Sequence, residues 1–561
     1  MQHSKALVLD GPSLANLDVF HVSASGAGGS AADNHSLFAL LNHARTPFGR
    51  RMLNRWTCHP LRHAAAINAR LDAVEFLMGA AGDAIAESLA GLPDLERTLS
   101  RVHAGRCKVA DFLAMLVGLN AANGFIKQLL PAHGGDVPTR IRALVAAFPS
   151  LDELLAEFQS AFDAGVAEAE GRLLPFKGSD PQYDQALATI NELEEWLDQH
   201  LGDARQRFGC QSIVYKNLGK EMYQLEIPVS VSVPTSYLQL SATKAVRRYW
   251  SPELRAKVQQ RAEALETQSM ILDGYQARLY QRFDKHYGVT MKAVSVIAEV
   301  DCLLALATAS RALGAPACRP TILDDTRAGG YVDFKQLRHP CVALGNATDF
   351  VANDIVLGRR QGAAGADPAA MILLTGPNMG GKSTLLRQLC LGVIMAQIGC
   401  YVPAQSATIT PVDRLFTRIG ARDSLLAGRS TFMVEMAETA AIVRYATPRS
   451  LVVLDELGRG TSTHDGEAVA YAVLHALCAR LGCLGIFSTH YGLLADALLR
   501  SAVEPHLRPM HMACAVDERE HRVTFLYKLQ QGIASKSHGM NVAAMAGVPT
   551  SIVDRASAVA E

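Results

Sequence analysis

No C-x-x-C pair occurs in this 561-residue sequence, although eleven cysteines are scattered through it. That absence excludes a zinc knuckle and a disulfide framework, and it fits a reducing compartment. Neither charge predominates, since Lys plus Arg and Asp plus Glu number 54 each. A neutral whole points to no partner, so any nucleic-acid surface has to be a local patch that the overall balance hides. No run approaches eighteen uninterrupted apolar residues, which argues against a membrane span. Residues 1–10 lack the charged-then-apolar layout of a secretory signal. With 49% apolar and 19% charged residues, the balance is that of a globular chain without a disordered signature. The expectation is a soluble intracellular protein, long enough for three or four units of about 150 residues.

The first 330 residues read as mostly helical. In SLDELLAEFQSAF, Ser150 and Glu153 are spaced as a capping box, with Leu151, Leu154, Leu155, Phe158 and Phe162 on one stripe. A second helix follows Tyr183, carrying Leu187, Ile190, Leu193, Leu197 and Leu201 at spacings of three and four. A third begins at Ser251-Pro252-Glu253, an N-cap followed by Pro at N1, and runs towards His286. Stripes of this kind are ordinarily core. Between the second and third helices, residues 212–241 are rich in β-branched and aromatic side chains, interrupted by Pro228 and Pro234. That composition predicts short strands. Two long helices therefore carry a small β-rich tip, and arms of about 30 residues would hold it roughly 45 Å from the body.

The tip is biased in charge. Arg205, Arg207, Lys216, Lys220, Lys244, Arg247 and Arg248 are opposed there only by Glu221 and Glu226. A solvated charged face explains such a run equally well. The sharper reading is a phosphate-contacting surface that positions DNA without reading its sequence. An Ala/Gly-rich patch at 362–370 reads as a short loop before the next domain.

That next domain carries the chemistry. The apolar run AMILLT is followed by GPNMGGKST and then by an apolar-periodic helix through Gln397. Gly376 to Ser383 matches G-x-x-x-x-G-K-[ST] in the strand–loop–helix setting that phosphate binding requires. Glycines let backbone N–H groups wrap the phosphates, and the helix N-terminus favours the anion. In this reading Gly376, Pro377, Asn378, Met379, Gly380, Gly381 and Thr384 line the nucleotide. Lys382 reaches its β- and γ-phosphates, and Ser383 ligates Mg²⁺. A second apolar run, Leu451 to Leu454, ends in Asp455-Glu456 at the carboxyl edge of a parallel sheet, where open α/β sheets bind ligands. Asp455 would hold the Mg²⁺ shell and Glu456 would orient the attacking water. A third run, CLGIF, ends in Ser488-Thr489-His490 and puts His490 on the same rim as a further catalytic candidate.

TGPNMGGKSTLLRQ, VPA, FTRIGARDSLLAGRSTFMVEM, LDELGRGTSTHDG and STHY resemble, in order, the ATPase domain of the MutS mismatch-repair family. Upstream, LVLDGPSLANLDVF, TPFGRRMLNRW, YDQALATI and GCQSIVY with YQLEIP resemble its lever and clamp regions. The detail is most similar to the larger, mismatch-reading subunit of the eukaryotic MutS-alpha heterodimer. The resemblance implies a multidomain chain: a mostly α-helical lever and core with a small β-rich clamp, followed by an α/β P-loop ATPase domain of the ABC type. It divides the sequence into core and lever helices (1–204), clamp (205–250), returning lever helices (251–330), ATPase domain (331–548) and the start of a C-terminal dimerisation helix (549–561).

The family implies ATP and Mg²⁺ as cofactors, a second MutS-homologue subunit and duplex DNA, mismatched or branched, as partners, no membrane, and the nucleus as location. Its sites are completed across a dimer. Ser430, in Gly428-Arg429-Ser430-Thr431, would approach a γ-phosphate held by the other subunit, and Asn378 would sit against the phosphates in cis. Phe350 and His511 fall where the family sandwiches adenine, although on their own both read as core. His464 departs from the family pattern near the dimer face. The sequence opens at the lever region, without the family's N-terminal mismatch-binding and connector domains. Rival readings are a clamp on recombination junctions, the motor subunit of an ABC transporter, and a structural subunit that binds ATP without turnover. GRSTF in place of an LSGGQ-type loop argues against the transporter.

Overall fold

The three apolar runs that end near Thr375, Leu454 and Phe487 become neighbouring strands. The computed structural model describes residues 6–20, 36–130, 136–219, 221–324, 329–343, 350–358, 369–420, 431–491, 494, 497, 506–517, 522–534 and 539–560. The chain divides into two units, one of residues 1–92, 125–148 and 295–561, the other of residues 93–124 and 149–294.

In the first unit a seven-stranded sheet has the order Val8–Leu9, Arg414–Arg418, Leu451–Asp455, Leu484–Ser488, Met371–Thr375, Leu507–Asp517, Arg522–Gln531. Neighbours are parallel except for the last pair. The registers Asp455↔Ser488 and Ser488↔Leu374 bring three carboxyl ends to one rim. On one face Val452, Leu454, Leu373 and Phe487 pack with Ile442, Ala470 and Leu474. Leu451 and Val453, which alternate with them, are fully buried too. Both faces are covered, as unbroken apolar strands of a parallel sheet require.

The helix after the loop, Lys382–Ile398, is apolar on every side rather than striped, with fourteen of its seventeen residues buried. It lies against a second sheet, of order Thr321–Ile322, Ser406–Ile409, Tyr331–Leu337, Asn353–Gly358. Gly392 permits that approach, because a Cβ there would come within 3.3 Å of the Phe334 ring. Its carboxyl end is fastened by distant residues. Arg70, on the helix Ala64–Leu77, donates to the Ile398 carbonyl at 2.7 Å and covers the Trp56 ring at 3.5 Å. Gln397 donates to the Leu61 and Val412 carbonyls and accepts the Val412 N–H.

Thr46 caps the helix Pro47–Cys58, its hydroxyl accepting the Gly49 N–H at 3.0 Å, and a distant carboxylate holds that cap in place. Asp301, on the helix Tyr287–Ala312, accepts the Arg45 N–H at 2.9 Å, the Thr46 N–H at 2.8 Å and the Thr46 hydroxyl at 2.6 Å. By length and composition Val109–Leu129 and Tyr287–Ala312 could cross a membrane, although neither is an unbroken apolar run. The structure uses the second as a core helix: Val300, Leu303, Ala305 and Ala307 are wholly buried.

The second unit is built on aromatic packing. Phe112 lies 4.9–6.4 Å, centroid to centroid, from Phe158, Phe162, Tyr280 and Phe283. The expected stripe of Leu151, Leu154, Leu155, Phe158 and Phe162 is buried. The expected capping box is not formed. The helix runs Asp152–Gln159 with Leu151 at its N-cap, and the Ser150 hydroxyl instead donates to Asp152 at 3.2 Å. Starting two residues after Ser150, the helix leaves that hydroxyl too far back to reach the N3 amide. At the third helix the sequence signal holds, since Ser251 caps Pro252–Asp284 and accepts the Leu254 N–H at 3.0 Å.

The helices Pro181–Arg207 and Pro252–Asp284 flank an antiparallel sheet of order Val214–Leu218, Glu221–Pro228, Val246–Trp250, Leu238–Ala242. Pro228 ends a strand and Pro234 lies in the connection that follows. The half-buried His200 ties sheet to helices. Its Nδ1 lies 2.9 Å from the Tyr215 hydroxyl and its Nε2 3.3 Å from the Ser251 hydroxyl. Burial lowers the imidazole below its ordinary 6.5, against the opposing pull of Glu253 and Asp203. A depressed histidine stabilises the fold above its unfolded pKa and loses that contribution as pH falls through the folded one. Melting of the chain should therefore drop between pH 7.5 and 5.5, and His200→Gln should flatten that dependence. An unchanged profile in the variant would remove His200 as its source.

Candidate functional site

The loop between Thr375 and Lys382 closes because three of its residues adopt positive φ: Gly376 at 140°, Met379 at 66° and Gly381 at 90°. At two of them a Cβ would also be crowded. A Cβ on Gly376 would lie 3.2 Å from Met512 Cβ, and one on Gly381 3.1 Å from the Tyr527 ring. Inside the loop Lys382, 5% exposed, donates to the carbonyls of Gly376 at 2.8 Å and Pro377 at 3.2 Å. Burial pulls its ammonium below the usual lysine range, and the carboxylates of Glu456 and Asp455 oppose that. The ammonium stands 3.9 Å from Glu456.

Two hydroxyls converge on Asp455. Ser383 donates to Oδ2 and Ser488 to Oδ1, each at 2.7 Å. Among the described residues no three or more His, Cys, Asp or Glu side chains form a metal cage. A serine hydroxyl beside one carboxylate is instead the hard-oxygen pair suited to Mg²⁺, which draws its other ligands from phosphates and water. The donor set therefore fits the ion that the loop sequence implies.

Glu456 begins the turn after the strand, and its φ of 53° is left-handed for a non-glycine residue. Such strain persists where the surroundings over-determine it. Here its N–H donates to the Ser488 carbonyl at 3.0 Å. Its carboxylate contacts His490 Nε2 through Oε1 and Arg459 through Oε2. Burial alone would raise this carboxyl, but the His490 hydrogen bond together with His490, Arg459 and Lys382 charge takes it below the usual glutamate value. Next to the loop is a cavity of about 290 Å³, walled by Phe350, Asn353, Met379, Gly381, Met512 and Tyr527 among others.

Residues 12–307 match MutS domain III and residues 372–561 match MutS domain V. The chain belongs to the MutS family. The DNA mismatch repair protein MSH6 of Saccharomyces cerevisiae is 42% identical over 100% of this chain and 45% of its own length. Msh6 of Homo sapiens is 38% identical over 98% of this chain and 43% of its length. The DNA mismatch repair protein msh3 of Aspergillus oryzae is 34% identical, over 98% of this chain and 49% of its length. This chain spans about half the length of these relatives.

Within this MutS-family chain the structure brings Lys382, Ser383, Asp455, Glu456 and His490 together at one rim. Asn378 and Met379 are exposed on the loop, while Pro377 and Gly380 are buried. Phe350 lines the neighbouring cavity, but His511 does not. It sits in the sheet opposite Thr375, its Nδ1 3.4 Å from the Gly532 carbonyl. Ser430 and Lys220 lie outside the described residues. Of the other tip residues, Arg207, Lys216, Lys244 and Arg247 are exposed. Arg205 donates to the Ile213 carbonyl at 2.9 Å, and Arg248 pairs with Glu226 at 2.7 Å.

Sequence reasoning missed Tyr527, Met512, Arg459 and Ser488. Tyr527 has a φ of 52° in a strand whose register slips against Leu507–Asp517, and Asn353 donates to its carbonyl at 3.0 Å. A tyrosine in a β-rich stretch reads as ordinary core, so nothing local announces it. Ser488 could have been found, because it ends the same strand that delivers His490.

Proposed function

We propose that this chain is an ATP-hydrolysing, DNA-clamping subunit of the MutS type, acting in DNA mismatch repair as part of a heterodimer in the nucleus. One observation carries the reading: Ser383 from the loop meets Asp455 while His490 meets Glu456, so four residues from three strand ends share one rim. In this reading residues 331–548 form the P-loop ATPase domain, 205–250 the DNA clamp, 1–204 and 251–330 the lever regions, and 549–561 the start of a dimer contact. The names of the relatives, all DNA mismatch repair proteins, favour the repair setting.

Lys382 would leave its two carbonyl partners for the β- and γ-phosphates of ATP. Bound Mg²⁺ would neutralise charge developing on those phosphates, held by Ser383 and Asp455. Glu456, ionised at neutral pH, would accept a hydrogen bond from the attacking water, with His490 fixing its carboxylate. Phe350 and Tyr527 would flank the base, and His511 would approach it only after a local rearrangement. Ser430 of one subunit would approach the γ-phosphate bound in the other, so ATP closes the dimer and hydrolysis releases it. A junction clamp of the same fold remains the second outcome of the test.

The test is binding of mismatched, matched and branched duplexes by the chain together with its second MutS-homologue subunit, at fixed and then varied salt. Four exposed basic residues contacting phosphates predict a loss of about 10²-fold in affinity between 50 and 200 mM salt. Preference for the mismatch would support the repair reading, and preference for branched DNA would replace it with the junction clamp. Binding that ignores salt would remove the clamp altogether.

A further inference from the structure

The turn that presents Glu456 is held by Gly458, and two residues given no role above hold Gly458. Gly458 has a φ of 92°, and a Cβ there would lie 2.5 Å from the Gly466 carbonyl oxygen, so nothing larger than glycine fits. Its carbonyl accepts the Tyr491 hydroxyl at 3.2 Å. Its N–H donates to Glu435 Oε1, also at 3.2 Å. Glu435 is 4% exposed and belongs to the helix Thr431–Tyr445, which also presses Phe432 against Gly460. Both backbone polar groups of one residue thus go to side chains, one of them next in sequence to His490.

A buried carboxylate is a costly acceptor for a single amide, and a neutral side chain would serve that bond alone. The charge is balanced by Arg418, 8% exposed, whose guanidinium lies 4.0 Å from Glu435 and 3.2 Å from Glu438. Arg418 ends the strand Arg414–Arg418 and also donates to the Gly420 carbonyl. Glu435 therefore joins three pieces of backbone: the end of one strand, the helix Thr431–Tyr445, and the turn two residues beyond Glu456.

We infer that Glu435 is a positioning residue for hydrolysis, holding Glu456 at its working angle through the Gly458 amide. The inference rests on the ATPase reading above. A shift of this helix would carry the turn with it, which makes turnover responsive to where the helix sits. Glu435 touches neither the loop nor the cavity, so nucleotide affinity should be independent of it.

The experiment compares Glu435→Ala and Glu435→Gln with the parent, each with the second subunit, for steady-state ATP turnover, fluorescent-nucleotide binding and thermal melting. Glu435→Ala should lower kcat about 10- to 100-fold, the scale of a misplaced catalytic group. KM and nucleotide affinity should stay within about threefold. Glu435→Gln, which keeps the acceptor, should retain kcat within about threefold of the parent. Equal turnover in Glu435→Ala and parent overturns the inference while leaving the ATPase reading intact. Loss of affinity in step with kcat in both variants also overturns it, because the role would then be structural. A parent that turns over no more ATP than a Lys382→Ala control removes the ATPase reading, and the inference with it.

Discussion

Replacing Glu456 with Gln should slow ATP turnover by about 10²–10⁴-fold, the range for losing a residue that handles a proton in the transition state. Nucleotide binding should change little. The substitution keeps the size of the side chain and one acceptor oxygen, so contact with His490 or Arg459 can survive. What disappears is the charge that a polarised water would feel. Single-turnover measurement of phosphate release by the chain with its proposed partner subunit, beside equilibrium nucleotide binding, separates the two effects. Turnover as fast as the parent would mean that Glu456 is not the residue that handles the water. Because the carboxyl is held below the usual glutamate value, the acid limb of the parent's rate profile should lie below about pH 4.5 if Glu456 controls it. A limb near neutrality would implicate another group.

The second large effect is on stability. Asp301→Ala should destabilise the first unit by roughly 2 kcal/mol or more, since the N–H and hydroxyl of the buried Thr46 lose their acceptor, at about 1–3 kcal/mol for each buried group left unpaired. Gly49→Ala should mimic it, because its Cβ would stand 2.1 Å from Asp301 Oδ2. Hydrogen exchange at the Arg45, Thr46 and Gly49 amides reads this contact apart from the rest of the chain. Unchanged protection in both variants would show that the cap carries no stability. Burial raises the Asp301 carboxyl above the usual aspartate range, against the pull of its three hydrogen bonds. The native state then binds protons more readily than the unfolded one, so this group's contribution grows, not shrinks, as pH falls. Acid unfolding of the chain should therefore start elsewhere, with His200 a nearer candidate.

What the sequence makes legible is what local backbone geometry decides. Gly376 and Gly381 announce a tightly turned loop, and Asp455 and Glu456 announce a strand end, because each signal spans fewer than ten residues. Pairings across the chain leave no such trace. Asp301 holds the cap of a helix that begins 254 residues earlier, and Gly458 meets Glu435 through an amide that every residue type except proline would possess. The Ser150 capping box fails for a related reason: two residues of drift in a helix start cancel the pattern. In the strand around Tyr527, a register slip sets the side chain's direction, and composition does not record slips.

The helix Lys382–Ile398 has a further consequence. A helix with one wet face can absorb change there, whereas this one is enclosed by the second sheet and the helices Pro47–Cys58 and Ala64–Leu77, and fastened at its far end by Arg70 and Gln397. Its tolerance of substitution should be correspondingly poor along its whole length, including positions three turns from any phosphate. A saturation library over 382–398 should give a smaller surviving fraction than one over the exposed tip strands at 214–250. Variation in this segment is thus rationed by packing, and how finely the site can be retuned over generations depends on the walls around the helix more than on the loop that names it.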